Sequence, residues 1–122
     1  MEAKFSPTVK DIIQYSREEA IRCGNNYIGA EHLLLGIIRD RNNSAITALE
    51  VLNVNFDVLK KRLYDKLEKI DQNSEIFKGS IPLTKQAEKI LKITYLEAKI
   101  FASSTITSIH LLLSILLSLI HI

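Results

Sequence analysis

Tyr27-Ile28-Gly29-Ala30-Glu31-His32-Leu33-Leu34-Leu35-Gly36-Ile37-Ile38 decides the fold of this 122-residue chain, because its core returns further along. His32 has its counterpart at His110, a shift of 78 positions. Under the same ungapped shift Ile12, Glu19, Ala20, Ile28, Leu33, Leu34, Leu35 and Ile37 meet Ile90, Glu97, Ala98, Ile106, Leu111, Leu112, Leu113 and Ile115. Identities that also keep the apolar spacing mark a duplicated structural unit. Upstream of each copy the steps are three and four: Val9, Ile12, Ile13, Ser16, Ala20, Cys23 in the first and Ala87, Ile90, Leu91, Thr94, Ala98, Phe101 in the second. Each set falls on one helical face, so the two segments read as paired core helices.

Working outward, Ser6 before Pro7 predicts a helix start, with the hydroxyl taking an orphan N–H and Pro losing nothing at the first helical position. That helix should run from about Pro7 to Cys23 and stop at Gly24-Asn25-Asn26. A strongly apolar helix is expected from about Ala30 to Arg39, then a polar turn at 40–44. A short helix follows from about Ala45 to Leu52, with Ile46, Leu49 and Leu52 as its buried stripe. Asn55 should cap a longer helix whose Val58, Leu59, Leu63, Leu67 and Ile70 face inward, with Asp57/Lys61 and Asp65/Lys69 one turn apart on its solvent side. The polar, aperiodic stretch 71–82, with Gly79 and Pro82, reads as a linker. The second unit is capped by Thr84, runs helically from Lys85 to Phe101, turns at Ser103-Ser104-Thr105 and resumes as an apolar helix from about Ser108. The expected organisation is one domain: repeat one at about 5–70, linker at about 71–82, partial repeat two at about 83–122. The fold class is all-α, two tandem pseudo-symmetric four-helix repeats with the second truncated after its second helix.

Composition supports a folded domain, at 47% hydrophobic and 25% charged residues. Sixteen basic residues against fourteen acidic ones leave a net charge of +2, spread along the helices, and Trp is absent. Nucleic-acid binding is not indicated. Cys23 is the single cysteine and falls at a core position, which points to a buried thiol in a reducing compartment. The N-terminus carries no apolar signal region, which points to the cytoplasm. The apolar run from Ile109 to Ile122 is shorter than the roughly 20 residues a membrane span needs and is interrupted by His and Ser, so a buried or self-associating helix is expected.

The Tyr27 to Ile38 stretch, preceded by Glu18-Glu19-Ala20, repeated after a linker and with Ile81-Pro82-Leu83-Thr84 leading into copy two, resembles the N-terminal domain of Clp-type ATP-dependent unfoldases, and is most similar to the ClpC branch. The resemblance covers Phe5 to about Leu116. It implies two four-helix repeats in pseudo-twofold arrangement (the double Clp-N motif). It also implies a domain that receives substrates or adaptor proteins ahead of ATPase modules that thread them into a partner peptidase. None of the four glycines opens a G-x-x-x-x-G-K-[ST] phosphate loop, so ATP and Mg²⁺ would belong to downstream ATPase modules, and this chain is expected to be a binding module without a cofactor and without enzymatic activity.

Glu31 is the first candidate for function. A carboxylate in the first turn of a helix is stabilised by the dipole and can take a guanidinium through two parallel bonds, although a plain helix-end charge accounts for it equally well. The resemblance implies that Glu31 holds the guanidinium of an arginine-phosphorylated substrate, its phosphate held by nearby backbone or hydroxyl donors. Ser6 and Thr8 offer such donors at the start of the first helix. The counterpart of Glu31 is Ile109, and Thr107-Ser108 replaces Gly29-Ala30. One competent pocket is therefore expected, without two-site avidity. His32, His110, Glu19 and Glu97 recur as matched pairs. Neither histidine has a second ligand three or four residues on, so all four are read as structural polar residues rather than metal or catalytic groups. An Glu31/His32 acid–base enzyme lacks a nucleophile, a metal cluster or a phosphate loop. Lys60, Lys61, Arg62, Lys66 and Lys69 form the basic side of the fourth helix, which reads as a solvated face that an acidic adaptor surface could also use. Expected partners are adaptors and protein substrates, the Clp peptidase only through the ATPase modules, neither nucleic acid nor membrane, and a second copy through the apolar C-terminal end.

Overall fold

Ser6 opens the first helix as its sequence demands: the hydroxyl accepts the Val9 N–H at 3.1 Å and Pro7 follows in the first helical turn. In this computed structural model the described residues are 4–40, 42–68, 81–100 and 105–120. Six helices run through them in the order α1 (Pro7–Arg22), α2 (Ala30–Arg39), α3 (Ser44–Val51), α4 (Phe56–Glu68), α5 (Lys85–Ile100) and α6 (Ser108–Ile120). Two two-residue strands, β1 (Lys4–Phe5) and β2 (Thr105–Ile106), pair in parallel. The fold is all-α. The predicted caps hold: Thr84 Oγ1 accepts the Ala87 N–H at 3.0 Å, and Asn55 Oδ1 accepts the Val58 N–H at 3.2 Å. Gly24 takes φ 76° where α1 ends, a conformation that costs glycine least.

The duplication is visible as a pseudo-twofold exchange. Phe5 of the first lead-in pairs with Ile106 of the second unit, and Leu83 of the second lead-in pairs with Ile28 of the first. The shift of 78 turns one pair into the other. The flanking bonds obey it too: Ser6 N–H donates to Ile106 O at 2.8 Å and Thr84 N–H to Ile28 O at 2.9 Å. Inside the helices, Ser16 and Thr94 each return their hydroxyl to the carbonyl four residues back, at 2.7 Å in both copies.

These exchanges knit one shared core. Ile12, Leu33 and Ile37 of the first unit and Ile90, Leu111, Leu112 and Ile115 of the second belong to a single buried cluster that also takes Ile46 and Leu49 of α3. Val9, Ile12, Ser16 and Ala20, and Ala87, Ile90, Thr94 and Ala98, are all buried as their spacing predicts. A satellite cluster forms where α4 lays Leu63 and Leu67 over Leu35 and Ile38 of α2.

Several expectations need correction. Leu52 is 68% exposed, because α3 ends at Val51 and Asn53, at φ 59°, turns the chain before a third stripe position can reach the core. Val58 is exposed as well: α4 buries through Leu59, Leu63 and Leu67, four residues apart, and Val58 lies about 100° off that line. Cys23 is half-buried at the edge of the satellite cluster rather than enclosed. Leu113 and Leu116 of α6 are exposed, because among the described residues no helix of the second unit covers them as α4 covers Leu35 and Ile38. Lys69, Ile70, Phe101, Ser103, Ser104, the expected linker at 71–80 and the side chain of Glu97 lie outside the described residues. The counterpart of Ser44, the first residue of α3, would be position 122, so among the described residues four helices of the first unit are matched by two of the second.

Candidate functional site

The chain enters α2 through Gly29 at φ −106° and ψ −175°, and its N–H donates to His32 Nδ1 at 2.9 Å. An imidazole nitrogen that accepts cannot carry the proton, so His32 Nε2 is the N–H and donates to Asn25 Oδ1 at 2.9 Å. His32 is fully buried, and burial lowers its pKa against the weaker pull of Glu31 and Glu19. Burial thus favours its neutral form. His110 repeats the first half of the arrangement, accepting the Thr107 N–H at 3.0 Å. Glu19 is buried too, and its partners are the Tyr64 hydroxyl at 3.0 Å and Arg22 at 3.4 Å. Tyr64 also meets Arg22, which donates to its hydroxyl and stands over its ring, and burial together with the Glu19 carboxylate raises its pKa, so it stays a phenol that donates.

Glu31 stands in the first turn of α2, partly exposed, with the Lys66 ammonium of α4 at 3.5 Å. The carboxylate thus has a cation within the molecule, carried on a side chain 65% exposed. Around it the turn is close-packed. A Cβ built on Gly29 would lie 3.4 Å from the Tyr27 ring, 3.7 Å from Glu31 Oε2 and 3.7 Å from Thr84 Cγ2. Tyr27 sets its ring edge-to-face on His32 at 5.4 Å, and its hydroxyl is buried with no hydrogen-bond partner. Burial first and then Glu31 raise the Tyr27 pKa, so this group is a protonated donor.

The structure does not bring Ser6 and Thr8 to Glu31. They stand at the start of α1, where Ser6 pairs with Ile106 and spends its hydroxyl on the Val9 N–H. The lead-in that meets Glu31's turn is the second one, through Cγ2 of Thr84, whose hydroxyl caps Ala87 as that of Ser6 caps Val9. Sequence reading missed Thr84, Lys66 and Tyr27 as neighbours of Glu31. Thr84 was findable as the residue 78 positions from Ser6 once the two lead-ins are seen to exchange places.

The second unit is spent differently at the matching place. Ile109 packs on the shared core, and buried Ser108 accepts the Ala45 N–H at 3.1 Å and shares a hydroxyl contact of 2.8 Å with Ser44. The start of α3 occupies this helix end. Among the described residues no cluster of three metal-ligating side chains occurs, and no helix is long and apolar enough to cross a membrane.

With this geometry in hand, residues 4–118 match the family model described as the Clp repeat N-terminal domain. The negative regulator of genetic competence ClpC/MecB of Bacillus subtilis is 28% identical over 116 residues, 95% of this chain and 14% of that protein. The chloroplastic chaperone protein ClpC2 of Arabidopsis thaliana is 32% identical over 113 residues, 93% of this chain and 12% of that protein. The chain therefore spans only about a seventh of the curated relatives it matches. Among solved structures, the Hsp104 N-terminal domain from Candida albicans superposes with a TM-score of 0.80 at 19% identity, covering 93% of this chain and 73% of that one.

Proposed function

Because the chain belongs to the Clp repeat N-terminal domain family, we propose that it is the recognition domain of an ATP-dependent Clp unfoldase subunit, capturing adaptors and substrates, including arginine-phosphorylated ones, for degradation. The ATPase, its ATP and Mg²⁺, and the contact with a Clp peptidase would belong to other modules of a longer protein, in the cytoplasm. The observation that carries the reading is the opposed pair at the α2 start: the Glu31 carboxylate and the Lys66 ammonium, 3.5 Å apart beside Thr84. A phosphorylated guanidinium carries both charges. Its cationic end suits Glu31 through paired N–H bonds, and its phosphoryl oxygens suit Lys66 and the Thr84 side of the turn. The Lys66 side chain is 65% exposed and meets Glu31 in a single contact of 3.5 Å, so exchanging this pair for a ligand costs little.

The test is fluorescence anisotropy of a labelled peptide carrying one phosphoarginine, against the same peptide unphosphorylated. Saturable binding of the first only, weakened at least tenfold by Glu31→Ala, supports the reading; equal binding of both peptides, or of wild type and variant, overturns it.

A second reading, a free-standing regulator of the same fold that binds adaptors or self-associates without an ATPase, draws on one observation. Leu113 and Leu116 are 39% and 40% exposed, whereas their counterparts Leu35 and Ile38 are 2% and 1% exposed beneath α4. This side of α6 offers another copy an uncharged face.

A further inference from the structure

Helix α5 carries a charge pattern that its counterpart α1 lacks. Lys85, Lys89, Lys92, Leu96 and Lys99 follow one another in steps of four and three, and at ~100° per residue they fall within about 80° of arc. All five are exposed. Such steps make the seam by which one helix lies along another. Under the shift of 78 the matching positions of α1 are Pro7, Asp11, Gln14, Glu18 and Ile21, so one copy has no cation on this line and the other has four.

Lysines one turn apart repel, and a solvated helix face relieves this by mixing its signs. Lys85 and Lys89, and Lys89 and Lys92, are such neighbours, yet among the described residues no ion pair involves any of the four lysines. Glu88, also exposed, stands about 60° to one side of the line. Helix α6, against which α5 packs, has no Asp, Glu, Lys or Arg along its length. From Lys85 to Lys99 the line is about 21 Å long at ~1.5 Å per residue, and its unmatched charge is positive.

An apolar groove adjoins it. Phe5, Leu91, Tyr95 and Leu96 line a space of about 440 Å³, with Lys92 also in the lining. Leu96 is 54% exposed at the one position of the seam that carries no charge. Lysines alone would suit any polyanion, whereas this groove suits an apolar side chain set among the anionic groups. A phosphate backbone offers none. An acidic helix does, because residues at steps of three and four share its face, and carboxylates and a leucine reach the seam together.

We propose that α5 is a docking surface for an acidic amphipathic helix of a partner protein, its carboxylates along Lys85, Lys89, Lys92 and Lys99 and one bulky apolar residue in the groove beside Leu96. The proposal takes the domain as a recognition module but uses a surface other than the turn of Glu31, so the two readings fail separately.

The experiment is anisotropy of a fluorescein-labelled peptide of three Glu-Ala-Ala-Glu-Ala-Ala-Ala heptads, Leu replacing the second Glu of the middle one. Its controls are the same peptide with Gln for every Glu, the same peptide with Ala for Leu, and single-stranded oligothymidylate. The acidic peptide should bind saturably, and both control peptides about tenfold more weakly or worse. Lys89→Glu combined with Lys92→Glu should abolish that binding, while Lys10→Glu, the same change at an exposed position of α1, should leave it in place, both variants keeping the wild-type helical signal. Saturating free phosphoarginine should not displace the peptide. No binding of the acidic peptide, equal binding of either control peptide, an unaltered double variant, oligothymidylate bound as tightly, or displacement by phosphoarginine would each overturn the proposal.

Discussion

The bond from the Gly29 N–H to His32 Nδ1 fixes the tautomer of a fully buried imidazole, and with it a pH dependence. Burial holds the His32 pKa below its ordinary value of 6.5 in the folded chain. Below that value the unfolded chain takes up a proton that the folded chain refuses, so the contribution is fully present above about pH 6.5 and is lost as the pH falls toward the folded pKa. Urea unfolding of wild type and His32→Gln at pH 7.5 and 5.5 checks this: wild type should lose more stability over the interval than the variant, and equal losses would remove His32 as the source. Gly36 makes a second residue-level claim. A Cβ there would lie 2.5 Å from both the Ile12 carbonyl oxygen and Ser16 Oγ, so Gly36→Ala should cost about 1–3 kcal/mol in the same assay. The second copy carries Ser114 at this position, its hydroxyl bonded to His110 O at 3.0 Å. The residue types were legible in the sequence, His32 among them as a buried hydrogen-bonding group, while His110 is only half-buried. Their partners were not, since Tyr64 reaches Glu19 across 45 positions and Lys66 reaches Glu31 across 35, and no spacing rule spans such separations.

At the scale of elements, the starts of α1, α4 and α5 were readable because caps are local chemistry, and Ser6, Asn55 and Thr84 all accept the N–H three residues on; the Asn43 cap of α3 was read as turn. The stripes of α3 and α4 were read one position too generously, because helical periodicity names a face and not the point at which the helix stops covering its neighbour. The crossed pairing of the two lead-ins was not legible, since β1 and β2 are two residues each and carry no period. That crossing separates two otherwise equivalent caps. Ser6→Ala and Thr84→Ala should each cost about 1 kcal/mol of stability. Only Thr84→Ala should also weaken phosphoarginine binding, because Thr84 and not Ser6 stands against the turn of Glu31. Parallel urea unfolding and anisotropy on the two variants decide it, and a binding loss confined to Ser6→Ala would return the ligand role to the first lead-in.

For the molecule as a whole, the duplication announced two units, yet the largest buried cluster takes residues from both and spans α1, α2, α3, α5 and α6. The units should therefore unfold together. Leu112→Ala in the second unit, at a buried position, should cost about 2–5 kcal/mol and move helical and tyrosine signals along one coincident transition; two separated transitions would show that the units are independent. Self-association through the face of Leu113 and Leu116 predicts a concentration-dependent mass by light scattering that Leu116→Glu returns to that of a monomer, and a strict monomer at all concentrations would dismiss it.

The central claim is that duplication left one working pocket, at Glu31, while Ile109 and the Ser108–α3 contacts turned its counterpart over to the core. Calorimetric titration of phosphoarginine tests it most directly. The account predicts saturation at one equivalent, abolished by Glu31→Ala; two equivalents, or binding that survives the substitution, would contradict it.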